Sequence, residues 1–253
     1  MIRKTAMGFM LLGYPLLFGQ SGEGELNFRY GFSYAGLPRT TGTAPTKIVL
    51  PGSLSYTAAE WLDLRIEADT LRSFQVPAQI RHTGVGDVSL AAKVGKNFIP
   101  HLRISVEYKA KIPVASAADT LGTGRYDHRF GLAASYDRIR DVLSVEGDVY
   151  GYIAGLTRTT GYKTFTAYAA KATYTPNSKS PTIALVSETD FVPANNMSPW
   201  EAYWVPALIA PLPTPTGMKG ELNLTLAGRV GFTPYTPAGG FSVMLGYKHK
   251  KEK

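Results

Sequence analysis

The chain has no cysteine among its 253 residues. That excludes disulfide staples, thiol nucleophiles and cysteine-bound metals. Histidine is scarce, and the four present (His82, His101, His128 and His249) show no metal-ligand spacing. A metal shared by His82 and His128 has only their position at the ends of expected external loops to recommend it, so no metal or cofactor is expected. No long helical period runs through the sequence. Beyond the amino-terminal run, no stretch is long and apolar enough for a membrane helix. No glycine-rich loop is followed by Lys-Ser/Thr and a helical pattern, which rules out a P-loop. "GVGD" and "LGTGRYD" read instead as turns whose glycines accept positive φ.

What is present points to β structure. Glycine (26), proline (17) and tyrosine (15) are abundant. The first residues, "MIRKTAMGFMLLGYPLLFGQSGEGE", place Arg3 and Lys4 before an apolar run from Ala6 to Phe18 and then small or polar residues. This is the layout of a secretory signal peptide, expected over 1–21. The apolar core is too short for a spanning anchor, which needs about 20 residues.

After it the chain alternates. In "ELNFRYGFSYAG" Leu26, Phe28, Tyr30, Phe32 and Tyr34 interleave with Asn27, Arg29, Gly31, Ser33 and Ala35. Strict alternation describes a strand with one apolar and one polar face. The pattern recurs in Leu62–Asp69, Leu102–Ile112, Arg129–Asp137 and Glu221–Phe232. Twelve strands are expected, near 24–35, 46–57, 60–70, 85–97, 101–113, 128–138, 142–153, 164–175, 181–192, 200–210, 218–232 and 239–247. Twelve residues reach roughly 40 Å; tilted by about 40° they cross about 30 Å, enough for the apolar band of an outer membrane. Short links such as "NFIPH", "RIRD" and "PNSKSP" alternate with longer ones such as "GLPRTTGTAP", "LRSFQVPAQIRHTG", "VASAADTLGTGRY" and "GLTRTTGYK". Short periplasmic turns and longer external loops give outer-membrane barrels that rhythm.

Aromatics complete the pattern. Phe28, Tyr56, Trp61, Phe98, Tyr136, Tyr174 and Tyr247 fall near expected periplasmic strand ends. Tyr34, Phe130, Phe165, Phe191, Trp200, Phe232 and Phe241 fall near external ends. Two such girdles belong at the two membrane interfaces. The expected fold is therefore an all-β, transmembrane, antiparallel up-and-down barrel of about 12 strands over 22–247, with a basic periplasmic tail over 248–253. Pro51-Gly52 requires a bulge or break in the second strand. Pro206 interrupts the tenth, and "APLPTPTG" is long for a periplasmic turn. A ten-stranded barrel with an irregular stretch or a plug over 186–217 also fits.

The middle of the chain, "TGVGDVSLAAKVGKN", "VEYKAKIPV" and "LGTGRYDHRFGLAASYD", resembles the outer-membrane β-barrel family named for the meta-pathway of phenol degradation. Gly84, Gly86 and Asp87 match a Gly-Asp-led strand, and Lys93 the basic position after it. Pro113 matches the end of the next strand, and Gly122, Gly124 and Asp127 a Gly-x-Gly loop leading to Asp. Val114-Ala115 stands where Thr-Gly is usual. The resemblance spans 82 to about 155. It implies an outer-membrane barrel with a role in taking up hydrophobic or aromatic molecules, and it supplies no catalytic residues.

If lipid takes the apolar face, the polar set faces inward. Its basic members are Arg29, Arg65, Lys93, Arg103, Lys109, Lys111, Arg129, Lys171 and Arg229. Its acidic members are Asp63, Glu67, Asp69, Asp87, Glu107, Asp137, Glu146, Asp148 and Glu221. Charges in a narrow barrel must pair or be hydrated. One reading is a salt-bridged interior that holds the barrel shut, and the other is a conducting lumen whose charges tune selectivity. The candidate solute-binding residues are Lys109, Lys111, Arg103, Glu107, Arg65, Glu67 and Arg129. Lys109 and Lys111, two residues apart on one face, form the densest basic spot, suited to an aromatic carboxylate unless Glu107 and the Asp63/Glu67/Asp69 row neutralise it.

The expected function is passive passage of small, hydrophobic or aromatic molecules across the outer membrane. A non-conducting scaffold or adhesin is the alternative, then an enzyme of the outer-membrane phospholipase type. The last lacks a Ser/His pair at matching heights, since His128 would need Ser89 or Ser135. The net charge of +8 becomes +6 without Arg3 and Lys4. External Arg39, Arg72, Arg81, Arg125, Arg158 and Lys163 suit lipopolysaccharide phosphates or a solvated surface equally. The expected partners are outer-membrane lipid and the solute, not nucleic acid.

Overall fold

The computed structural model describes residues 24–36, 46–75, 82–115, 126–139, 142–155, 162–176, 180–191, 200–231 and 239–249. The signal peptide expectation, the "LGTGRYD" glycines and the girdle residue Phe232 lie outside them. Thirteen strands follow in chain order, with no helix among the described residues: β1 (Leu26–Gly36), β2 (Thr46–Ala59), β3 (Leu62–Gln75), β4 (His82–Gly84), β5 (Val88–Ile99), β6 (Leu102–Ile112), β7 (Asp127–Ile139), β8 (Leu143–Gly155), β9 (Tyr162–Tyr174), β10 (Thr182–Phe191), β11 (Trp200–Leu212), β12 (Glu221–Gly231) and β13 (Gly239–His249). Each long strand pairs antiparallel with its neighbours. β1 pairs with β13, and β2 with β3, so twelve strands close into a barrel, with the three-residue β4 added against the end of β3.

The faces follow the alternation in the sequence. Val106 is 56% exposed and its neighbour Glu107 only 9%. Leu64 and Ile66 point out and Arg65 in; Leu132 points out and Ala133 in. A soluble barrel would do the opposite. Here, among the described residues, many large apolar side chains are exposed while nine charged ones are buried, the arrangement a lipid environment demands. Phe28, Tyr56, Trp61, Phe98, Tyr136 and Tyr174 are all exposed near the short-link ends of their strands, and Phe130 and Phe241 near the other ends. The girdle expectation holds at these positions, while Tyr34 and Tyr247 are half-buried.

Local chemistry explains the irregular places. Pro51 has no N–H for the ladder. The partner strand answers with a bulge: Leu50 pairs with Leu71 and Pro51 with Asp69, leaving Thr70 as the extra residue. The Thr70 hydroxyl donates to the Leu50 carbonyl at 3.0 Å, and the Tyr30 hydroxyl of β1 lies 2.9 Å from it. Pro206 sits opposite Leu185 without disturbing the β10–β11 register. "APLPTPTG" is the end of β11 followed by a turn, closed by Met218 N donating to the Pro215 carbonyl at 3.1 Å with Gly217 at φ 92°.

Four sequence expectations change, the first at Arg72, which was expected to be external but is buried in β3 and paired with Asp69 at 2.9 Å. "LRSFQVPAQIRHTG" is not all loop, because β3 continues to Gln75 and β4 begins at His82. The last strand runs to His249, so Lys248 belongs to the wall and pairs with Glu25 at 2.8 Å. The glycines of "GVGD" do not serve positive φ, which among described glycines is confined to Gly24 and Gly217. Gly86 is there for closeness: a Cβ on it would meet the Asp69 Cβ at 2.5 Å.

A charged and an apolar wall in the barrel interior

Strand register sorts the inward charges into bands. Arg65 on β3 lies level with Ala91 on β5, Lys109 on β6 and Arg129 on β7, a row of three cations with one small gap. Like charges in a row repel. The neighbouring rows supply the answer. One holds Glu67, Ser89, Lys111 and Asp127; the other holds Asp63, Lys93, Glu107 and Gly131. The cations reach diagonally into both.

Arg65 Nε forms an ion pair with Glu67 Oε1 at 2.8 Å, and its Nη2 donates to Glu107 Oε2 at 3.1 Å. Arg129 Nη2 meets Glu107 Oε1 at 2.5 Å. Lys109 Nζ pairs with Glu67, crossing over β5, whose small Ser89 and Ala91 leave the space. Arg129 also lies over the Tyr150 ring, 3.8 Å from its centroid. That stack needs a glycine beside it, because a Cβ at Gly131 would meet Tyr150 Cδ1 at 2.8 Å. Such planar stacking suits arginine and not lysine.

Five of the seven candidate residues thus form one cluster: Arg65, Glu67, Glu107, Lys109 and Arg129. Lys111 lies one inward step further along β6, on Asp127 and, at 3.5 Å, on Asp87. Arg103 is apart, near the short-link end, where it donates to the Glu60 carbonyl at 3.0 Å and lies 4.0 Å from Asp63. A further clamp sits beyond the candidate set: Glu146 of β8 holds Lys93 at 3.3 Å and Lys171 at 2.9 Å. Arg65, Glu107 and Arg129 are buried although they face the barrel interior. The interior at this level is packed with side chains.

The other side of the lumen differs in kind. Ala184 and Val186 of β10, Tyr203, Val205 and Ala207 of β11, and Ala227 of β12 form one buried inward-facing cluster. Val205 is 0% exposed and Tyr203 1%. Arg229 lies over the Tyr203 ring at 3.5 Å. Tyr150 packs with Ala167 and Ala169 of β9 in a second, separate buried cluster. Aromatic residues were expected at the lipid interfaces only, so Tyr150 and Tyr203 were missed as lumen residues. Tyr150 shares the parity of Glu146 and Asp148, which was the available signal. In "YWVPAL" both faces are apolar, and parity gives no signal for Tyr203.

Among the described residues no group of three His, Asp or Glu side chains is placed to hold a metal. His128 is taken by Tyr108, whose hydroxyl lies 2.8 Å from Nδ1 while the rings stack at 6.1 Å.

No protein-family model matches the chain, and no curated protein does. Solved structures do. The translocator domain of the autotransporter NalP from Neisseria meningitidis superposes with a TM-score of 0.52 at 11% identity, over 91% of this chain and 90% of that one. The CymD monoaromatic hydrocarbon channel superposes with a TM-score of 0.49 at 9% identity, over 92% and 90%. At these identities the likeness concerns fold. This chain has the closed antiparallel barrel architecture found in proteins of bacterial outer membranes.

Proposed function

We propose that this protein is an outer-membrane channel for passive uptake of small apolar or aromatic molecules. The observation that carries the reading is the apolar wall of Val186, Tyr203, Val205 and Ala207 inside a barrel whose outer face already meets lipid. A small aromatic molecule has a use for that wall, since its ring is held by apolar contact at little desolvation cost. The resemblance of residues 82–155 to the phenol meta-pathway family supports the same reading.

The charged wall acts as the closure. Lys109 and Lys111 are engaged by Glu67, Asp87 and Asp127. Paired charges have little field left to attract an aromatic carboxylate, so these lysines hold the gate and do not select the solute. Lys109→Glu with Lys111→Glu then makes the barrel leak solutes generally. The functional test is uptake by the purified protein in vesicles with an outer leaflet of lipopolysaccharide, which retards unassisted entry. Phenol should enter faster than a sugar of similar size, and Val205→Asp should remove that advantage. A barrel that admits neither solute contradicts the channel reading and favours the scaffold, whose support is the packed ion network.

A further inference from the structure

Breaks in the ladders of three adjoining seams fall on one line. The β1–β2 ladder is interrupted between Tyr30↔Gly52 and Ser33↔Val49, leaving Gly31–Phe32 and Leu50–Pro51 unpaired. The next seam, β2–β3, carries the bulge at Thr70. In the seam after that, β3 pairs with β5 up to Ala68↔Val88 and with β4 from Arg72↔Gly84, so Asp69–Leu71 and Val85–Asp87 face each other without a ladder. Three adjoining seams therefore fail at one level, in the long-loop half of the barrel. The β11–β12 ladder also skips Val205–Pro206 and the β9–β10 ladder ends at Ala169↔Glu188, but the β10–β11 ladder between them is unbroken.

We propose that this line is a lateral portal through which an apolar solute passes between the lumen and the outer leaflet of the membrane. This deepens the channel reading above and rests on it. Parting two fully paired strands inside hydrocarbon would expose a row of unsatisfied amides, each a severe penalty. Along this line that penalty is reduced, because much of the ladder is already missing. On β2 Pro51 has no N–H and the Leu50 carbonyl takes the Thr70 hydroxyl, and across the 69–71/85–87 gap runs the backbone bond from Gly86 N to the Asp69 carbonyl at 2.8 Å. Leu71 and Val85 are exposed apolar groups at its edges. On the inside, Asp87 tethers the 85–87 link to β6 through Lys111 at 3.5 Å and to Ala115 N at 3.1 Å. The Glu67–Lys109 closure lies one inward step further from the long-loop end than Asp69. A solute entering from the long-loop end thus reaches the gap before the closed ion network.

The test bridges the gap. The chain has no cysteine, and the registers on both sides place Leu71 opposite Val85. Leu71→Cys with Val85→Cys, joined by a short bifunctional methanethiosulfonate reagent, should lose phenol uptake in lipopolysaccharide vesicles and regain it with dithiothreitol. The same bridge between Leu64→Cys and Ala92→Cys, across an intact part of β3–β5, should change nothing. Phenol uptake unaffected by the Leu71–Val85 bridge overturns the portal and leaves the channel standing. A wild-type protein that takes up no phenol removes both. A second readout needs no transport: a neutral aryl diazirine dissolved in the membrane should label Asp69–Leu71 and Val85–Asp87 above the lipid-facing Val106 and Leu132. Even labelling around the barrel overturns the proposal.

Discussion

Replacing Glu107 by glutamine probes the interior with the least change in shape. Glu107 lies between Arg65 Nη2 at 3.1 Å and Arg129 Nη2 at 2.5 Å, and all three are buried. The cluster holds three cations (Arg65, Lys109, Arg129) and two carboxylates (Glu67, Glu107), a net +1. Glu107→Gln takes it to +2. It also turns an amide donor toward a guanidinium, which has only donors to offer. Removing one partner of a buried ion pair costs about 3–5 kcal/mol, because the remaining charge keeps its desolvation penalty. That is about two to three and a half decades in the unfolding equilibrium. Guanidinium unfolding in detergent, followed by tryptophan fluorescence, reads the loss, and single-channel conductance reads whether the closure loosens. Adding Arg129→Met to Glu107→Gln restores the net charge to +1 and should recover more than half of the lost stability. A Glu107→Gln barrel within about 1 kcal/mol of wild type, with unchanged conductance, would show a hydrated surface pair of ordinary small worth. The packed-closure argument would then fail.

Two other substitutions have distinct expectations. Val106→Arg puts a charge on the lipid face between Val94 and Leu132, which costs about 2–4 kcal/mol near mid-depth; heat-modifiable migration of the folded band should be impaired, while Val106→Leu leaves it intact. Gly86→Ala forces its new carbon onto the Asp69 Cβ at 2.5 Å and should lower stability by about 1–3 kcal/mol. Gly147→Ala, with nothing within 4 Å of the added carbon, should be neutral or slightly stabilising in the same denaturation assay.

The strands and their facing were legible because lipid outside and charge inside impose the same period of two. Val106 and Glu107 are one residue apart and differ in everything the two environments select. The signal failed where that period breaks. Past the Thr70 bulge the alternation of β3 slips, so Arg72–Gln75 read as loop although they are strand. It was also silent on partners: Lys111 meets Asp127 because β6 and β7 take a particular register, and no spacing within one strand reveals that. Seven inward residues were named as candidates, and the structure gathers five. Arg103 shares their face but not their depth. The apolar wall escaped because β11 is apolar on both faces, one turned to lipid and the other to Tyr203 and its neighbours.

The central claim is that the apolar face of each long strand meets lipid and the polar or small face lines the lumen. Spin labels placed one at a time along β12, from Leu224 to Val230, test it directly in membranes, since this strand stands away from the ion cluster. Relaxation by oxygen, which concentrates in hydrocarbon, should peak at Leu224, Leu226 and Val230 and fall at Thr225 and Ala227, which are buried inside the barrel. The opposite phase, or accessibility that does not alternate, would contradict the account.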